Sequence, residues 1–173
     1  MIKGIIFDMD GVIIDSESIY MEAEKDLFIK YGIKFSNEER EKYTGITLDE
    51  IWEKINKDYN IAFDQNLKNI IKEHVDVFYE GLKKNDIQMI NGLENWLNYF
   101  KNKDIEMIIA SSSYPKIVSY IYNKFELDRY IKGFVDIKDI NKGKPAPEIF
   151  NKAAKRLGLK SKECLVIEDS ENG

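Results

Sequence analysis

Two carboxylates one residue apart and followed by a glycine, Asp8-Met9-Asp10-Gly11, stand directly after the apolar run Ile5-Ile6-Phe7. Such a β-branched and aromatic run suits a strand buried on both faces of a parallel sheet, and ionisable side chains do not stay in that core unpaired. Asp8 and Asp10 are therefore expected just beyond the carboxyl end of a strand, where open α/β sheets bind ligands. Gly11 permits a tight turn that a β-carbon would hinder. Taken alone, the stretch also reads as a strand followed by an Asp-rich turn. Three further polar clusters argue for the chemical reading: Ser111-Ser112-Ser113, Lys144 within Lys142-Gly143-Lys144-Pro145-Ala146-Pro147, and Glu168-Asp169. Each has an ordinary explanation by itself, as a helix cap, a solvated lysine or an acidic loop. In a parallel sheet, however, strand carboxyl ends share one edge, and all these groups converge there.

Carboxylates about 4 Å apart repel by roughly 4 kcal/mol per pair at an effective dielectric near 20, so such a site requires a cation or raised proton affinity. Oxygen ligands without His or Cys nearby point to the hard ion Mg²⁺. Lys144, the Ser111 hydroxyl and backbone N–H groups suit the oxygens of a phosphoryl group. The set fits phosphoryl transfer, with one aspartate attacking phosphorus and the other protonating the leaving oxygen and then activating water.

The positioning elements follow from periodicity. After the first strand, Asp15-Ser16 precedes a helix with Ile19, Ala23, Leu27 and Phe28 on one face, stopping at Gly32. Capping-box patterns at Ser36/Glu39 and Thr47/Glu50 start two more helices, the second carrying Ile51, Trp52, Ile55 and Tyr59. Another spans about 64–84 with Leu67, Ile71, Val75, Phe78 and Leu82 at helical spacing. From Gly92 the pattern alternates: helix over 93–100, strand over 106–110, a helix opened by Pro115, and a short strand at Phe134-Val135. A helix opened by Pro147 and closed at Gly158 follows, then a strand at Leu165-Val166-Ile167. This order predicts an α/β fold, a Rossmann-like parallel sheet core over 1–14 and 86–173 with an inserted helical domain over 15–85.

Composition bounds the rest. At 173 residues and 43% hydrophobic the chain can bury one proper core. Its net charge of −5 offers no basic field, so nucleic acid is not an expected partner. The single Cys164 excludes a disulfide within the chain and suits a reducing compartment. No apolar run reaches about 18 residues and no export signal opens the chain, so a cytoplasmic monomer without membrane contact is expected.

The four clusters together resemble the signature motifs of the haloacid dehalogenase superfamily, in particular the branch of β-phosphoglucomutase and sugar-phosphate phosphatases. The motifs appear in order as Asp8-Met9-Asp10-Gly11-Val12, Ile109-Ala110-Ser111, Lys144 in Gly143-Lys144-Pro145, and Glu168-Asp169-Ser170. The resemblance implies a small phosphorylated metabolite as substrate, Asp8 as nucleophile and Asp10 as general acid/base. It implies Ser111, Ser112 and Lys144 as phosphate holders. Mg²⁺ would lie among Asp8, the Asp10 carbonyl, Glu168 and Asp169, with Asp169 the more direct ligand of the last pair. It makes 15–85 a cap closing over the site, with Tyr20, Thr44 and Gly45 on its substrate-facing side and Trp52 adding apolar character.

The sequence departs from the mutase pattern at three places: Tyr20 stands for a hinge histidine, Thr44 for a lysine and Leu48 for an arginine. The only histidine, His74, lies inside an insertion helix, where packing or solvent is the expected environment. These departures favour a phosphatase over an intramolecular phosphotransferase. A non-catalytic phospho-acceptor module is disfavoured by the helical insertion and by Asp-x-Asp on the first strand. Relatives continue beyond the fourth motif, so the sequence leads one to expect a core lacking its last helix and strand, with lowered stability.

Overall fold

The structure, a computed structural model, describes residues 1–34, 47–59 and 67–171. Four parallel strands, β1 (Gly4–Phe7), β2 (Glu106–Ala110), β3 (Phe134–Val135) and β4 (Cys164–Ile167), form one sheet in the order β3-β2-β1-β4. Every residue of β1 is buried, as its central place requires. Its side chains alternate between two layers: Ile5 and Phe7 join a cluster with Met107 and Ile109, whereas Ile6 joins Ile108, Ala110 and Val135.

Helices cover both faces. Leu93 and Leu97 of α4 (Leu93–Lys101) and Ile117, Val118 and Ile121 of α5 (Pro115–Lys124) complete the first cluster. Ile149, Ala153 and Ala154 of α6 (Glu148–Arg156) complete the second. The small alanines let α6 lie close against the sheet, and Pro115 begins α5 where a missing N–H costs nothing. Pro147 differs from expectation by one place, standing as the cap residue before α6 rather than inside it.

Between β1 and β2 lies the helical insertion, with α1 (Glu17–Lys30), α2 (Leu48–Tyr59) and α3 (Leu67–Lys84). The capping box at α2 forms as its sequence predicts: Thr47 N–H donates to Glu50 Oε2 at 3.0 Å and Glu50 N–H to Thr47 Oγ1 at 3.2 Å. The expected helix start at Ser36/Glu39, the proposed substrate-facing Thr44 and Gly45, and residues 64–66 lie outside the described residues. Trp52 and His74 are fully buried at the centre of the insertion, and the indole Nε1–H donates to His74 Nδ1 at 3.0 Å. Trp52 therefore packs the insertion instead of lining a substrate pocket, a correction with a plain cause: its helix face turns to Phe28 and His74. Among the described residues β4 is an edge strand, and Leu165 on it is half-exposed.

Ile6 sits where the sheet and α6 meet with no solvent contact, so Ile6→Ala is expected to lower stability by about 2–5 kcal/mol in urea unfolding. A loss below about 1 kcal/mol would contradict this packing.

Candidate active site

Strand register assembles the site. Phe7 pairs with Ile109 on one side and Ile167 on the other; β1 and β4 end level and β2 runs one residue further, so Asp8, Ser111 and Glu168 leave the sheet at the same edge. The Asp8 N–H still donates to the Ile167 carbonyl at 2.9 Å, and the Ser111 N–H to that of Val135 at 3.0 Å, so both residues leave the sheet from anchored backbone. Lys144 arrives from the loop before α6. There the Glu148 carboxylate accepts the N–H groups of Asn141 at 3.1 Å and Lys142 at 3.0 Å, fixing the loop to the helix start.

Lys144 Nζ donates to Asp8 Oδ1 and to Glu168 Oε1, both at 2.8 Å, with lysine and aspartate almost completely buried. Burial pushes Asp8 up to about 7, and Lys144 only partly offsets this. Burial alone would lower the Lys144 ammonium, but its carboxylate partners outweigh that and raise it. Glu168 feels burial too, yet Lys144 and the Ser170 N–H, which donates to it at 2.6 Å, bring it below the ordinary range. Asp169 is raised, first by burial and then by its neighbour Glu168.

Asp8, Glu168 and Asp169 each offer a carboxylate oxygen, and these lie within 4.8 Å of one another. An all-oxygen set at that spacing fits a hard divalent cation such as Mg²⁺. Gly11 makes room for it: φ is +75°, and a β-carbon there would fall 1.9 Å from Asp169 Oδ2. Glycine is thus required both by the backbone and by the carboxylate packed against it.

Asp10 occupies a different environment. Its Oδ1 accepts the Ser16 hydroxyl at 2.5 Å and its Oδ2 the Ser113 hydroxyl at 2.9 Å. Burial raises its pKa, and its partners are neutral hydroxyls that offset only part of the rise. The Tyr20 hydroxyl is also removed from solvent beside this group, without a well-formed hydrogen bond, and its ring packs 4.2 Å from that of Phe78. Ser111 Oγ accepts the Ser113 N–H at 3.0 Å, leaving its proton to donate, while Ser112 Oγ is buried without a hydrogen-bond partner among the described residues. Ser16 is an addition to the site that sequence reasoning missed, and Ser113, read only as part of the serine cluster, gains a role on Asp10. Ser16 reads as a helix cap and does occupy the N-cap of α1, but it makes no side-chain capping bond. Its hydroxyl is committed to Asp10 instead. His74, packed against Trp52 and with Nε2 3.2 Å from Glu24 Oε1, belongs to the insertion's interior.

Comparison with known proteins agrees with this geometry. The family model described as haloacid dehalogenase-like hydrolase matches residues 5–173. A phosphorylated carbohydrates phosphatase of Thermotoga maritima is 28% identical over 173 residues, covering 99% of this chain and 78% of that protein. A β-phosphoglucomutase of Bacillus subtilis is 31% identical over 179 residues, covering 99% and 76%. Among solved structures, a β-phosphoglucomutase from Clostridium difficile superposes with a TM-score of 0.87 at 27% identity, covering 100% of this chain and 78% of that one. The chain belongs to the haloacid dehalogenase-like hydrolases, as a phosphoric monoester hydrolase.

Because its β-carbon would displace Asp169, Gly11→Ala is expected to weaken Mg²⁺ binding by at least about tenfold in calorimetric titration while the chain stays folded. Unchanged Mg²⁺ affinity would count against the placement of Asp169 in the cation site.

Proposed function

We propose that the protein is a Mg²⁺-dependent phosphatase of a small phosphorylated metabolite, of the sugar-phosphate type, working through an aspartyl-phosphate on Asp8. The observation that carries this reading is the separation of the two aspartates. Asp8 faces a lysine and two further acids, whereas Asp10 is held by hydroxyls in a buried, proton-retaining pocket. Two carboxyls in contrasting surroundings suit one nucleophile and one acid/base.

In the proposed sequence an Asp8 carboxylate oxygen attacks phosphorus, and the bond from phosphorus to the ester oxygen breaks. Asp10 transfers its proton to that oxygen, releasing the alcohol. Asp10, now a carboxylate, takes a proton from water as the water oxygen attacks the phosphoryl group. The bond to Asp8 then breaks, releasing inorganic phosphate and restoring Asp10 as an acid. Lys144, Ser111 and Ser112 hold the phosphoryl oxygens. Asp8, Glu168, Asp169 and the Asp10 carbonyl would hold Mg²⁺, which would supply positive charge toward the phosphoryl oxygens. Residues 15–85 act as a cap over the core formed by 1–14 and 86–173, excluding bulk water and selecting the alcohol portion. Tyr20, beside Asp10 at the base of α1, and the segment holding Thr44 and Gly45 are the cap's contribution to that choice.

The similarity to a β-phosphoglucomutase raises a second reading, intramolecular phosphate transfer. Against it, the chain's only histidine is enclosed within the insertion, and a tyrosine stands beside Asp10. With β-glucose 1-phosphate, hydrolysis yields free phosphate and glucose, whereas transfer yields an isomeric sugar phosphate.

Phosphate release from an aryl phosphate is expected to need Mg²⁺, to stop on chelation, and to fall roughly 10³-fold or more in Asp8→Asn. Activity surviving that substitution would remove Asp8 from its role. The pH profile of kcat/KM is expected to be bell-shaped. It rises as Asp8 ionises, from a value near 7 that Mg²⁺ would shift downward, and falls once Asp10 loses its raised-pKa proton. A profile flat from about pH 5 to 9 would contradict the paired roles.

A further inference from the structure

The start of α2 touches both loops that carry the phosphate-holding residues. On one side, the Tyr114 hydroxyl donates to Asp49 Oδ2 at 2.5 Å across the boundary between insertion and core. On the other, Thr47 packs so closely on Gly143 that a β-carbon there would fall 2.4 Å from Thr47 Cγ2. Tyr114 ends the loop whose preceding residues are Ser111, which faces the site, and Ser113, which holds Asp10. Gly143 directly precedes Lys144. One short stretch of the insertion, residues 47–49, thus grips both sides of the phosphoryl site.

We propose that Asp49 and Tyr114 form a latch that holds the insertion closed on the core, making them positioning residues for the phosphoryl site. A hydroxyl-to-carboxylate bond in a half-buried position is stronger than a neutral one. Burial, then the Asp49 carboxylate, hold the Tyr114 proton well above its ordinary range, so the donor persists across the working pH. Lys138 stands beside the pair, its Nζ 3.5 Å from the Tyr114 hydroxyl and 4.4 Å from the ring centroid, and balances the carboxylate. Other cross-boundary contacts among the described residues include the Ser16 hydroxyl on Asp10 at the start of the insertion and, along α3 and α5, Lys116 pairing with Asp76 at 2.6 Å and Tyr79 meeting Tyr120 edge-on at 5.3 Å. Both Lys116 and Asp76 are exposed, so that pair is screened and weak. Lys116 stands in the first turn of α5, two residues beyond Tyr114, so its pair with Asp76 adds only a weak tie beside the latch. Of these two ties beside the phosphate loop, the half-buried latch is the stronger.

This inference rests on the phosphatase reading for its kinetic consequence but has an independent structural readout. If the latch sets the fraction of molecules already closed, losing it weakens apparent substrate affinity by that fraction and leaves the bound state's chemistry intact. Tyr114→Phe and Asp49→Asn are each expected to raise KM for an aryl phosphate about threefold to tenfold, with kcat within about twofold. Because both act through one bond, the double variant should be no worse than the poorer single. In parallel, spin labels on cysteines at the exposed positions 57 of α2 and 155 of α6, with Cys164→Ser, report the distance between insertion and core. Each variant should broaden and lengthen that distribution. Multiplied KM effects in the double variant, a fall in kcat at unchanged KM, or unaltered distances would overturn the latch. Should the native chain release no phosphate, the hydrolase reading fails while the distances still decide the latch.

Discussion

One ammonium group bridging two carboxylates holds this site together. Lys144, at 2.8 Å from both Asp8 and Glu168, ties the end of β1 to the end of β4 through a side chain from a third segment. Buried charges are tolerated only when paired, and removal of one partner leaves the other uncompensated. The sheet register, the Glu148 anchor on the Lys144 loop and the Ser170 contacts to Glu168 all serve to bring these charges into line. Asp169 and Gly11 fit around the same point. The site is consequently a single electrostatic unit, in which moving any strand end by a residue would unpair a buried charge.

The Asp10 carboxylate is coupled to that unit through space but makes its hydrogen bonds outside it, and this difference arises from where its partners come from. Ser113 belongs to the loop after β2, Ser16 to the junction where the insertion begins. Asp10, the proposed acid/base, is therefore held at the point where insertion and core meet, so the insertion's position and the orientation of Asp10 are mechanically linked. Ser111 and Tyr114, flanking Ser113, extend the linkage to the phosphate loop and to Asp49 on the insertion. In the proposed mechanism, substrate enclosure and proton transfer share these few residues.

The architecture and the convergent clusters were legible in the sequence because both follow from short-range rules. Apolar runs ending in Asp, Ser or Glu mark strand ends, and parallel strands place those ends on one edge. Partnerships that depend on how the insertion docks were not legible. Ser16 carries the pattern of a helix cap, and only the three-dimensional placement of Asp10 reveals where its hydroxyl goes. Asp49 and Tyr114 lie 65 residues apart in sequence, and nothing in the local pattern of either pairs them. Trp52, an aromatic at helical spacing, could face substrate or interior; the acceptor nitrogen of His74 and the ring of Phe28 decide for the interior.

The most direct measurement is the covalent state of Asp8 during turnover. Asp10→Asn, incubated with Mg²⁺ and an aryl phosphate whose leaving group needs little acid assistance, should release the aryl alcohol and accumulate protein phosphorylated on Asp8, because it cannot activate the water that would free the phosphate. Rapid acid quenching, proteolysis and mass spectrometry are expected to find one phosphoryl group on the peptide containing Asp8, and none in Asp8→Asn. A phosphoryl group on another residue, or phosphate release with no phosphorylated Asp8 at any quench time, would contradict the nucleophilic role on which the proposed chemistry depends.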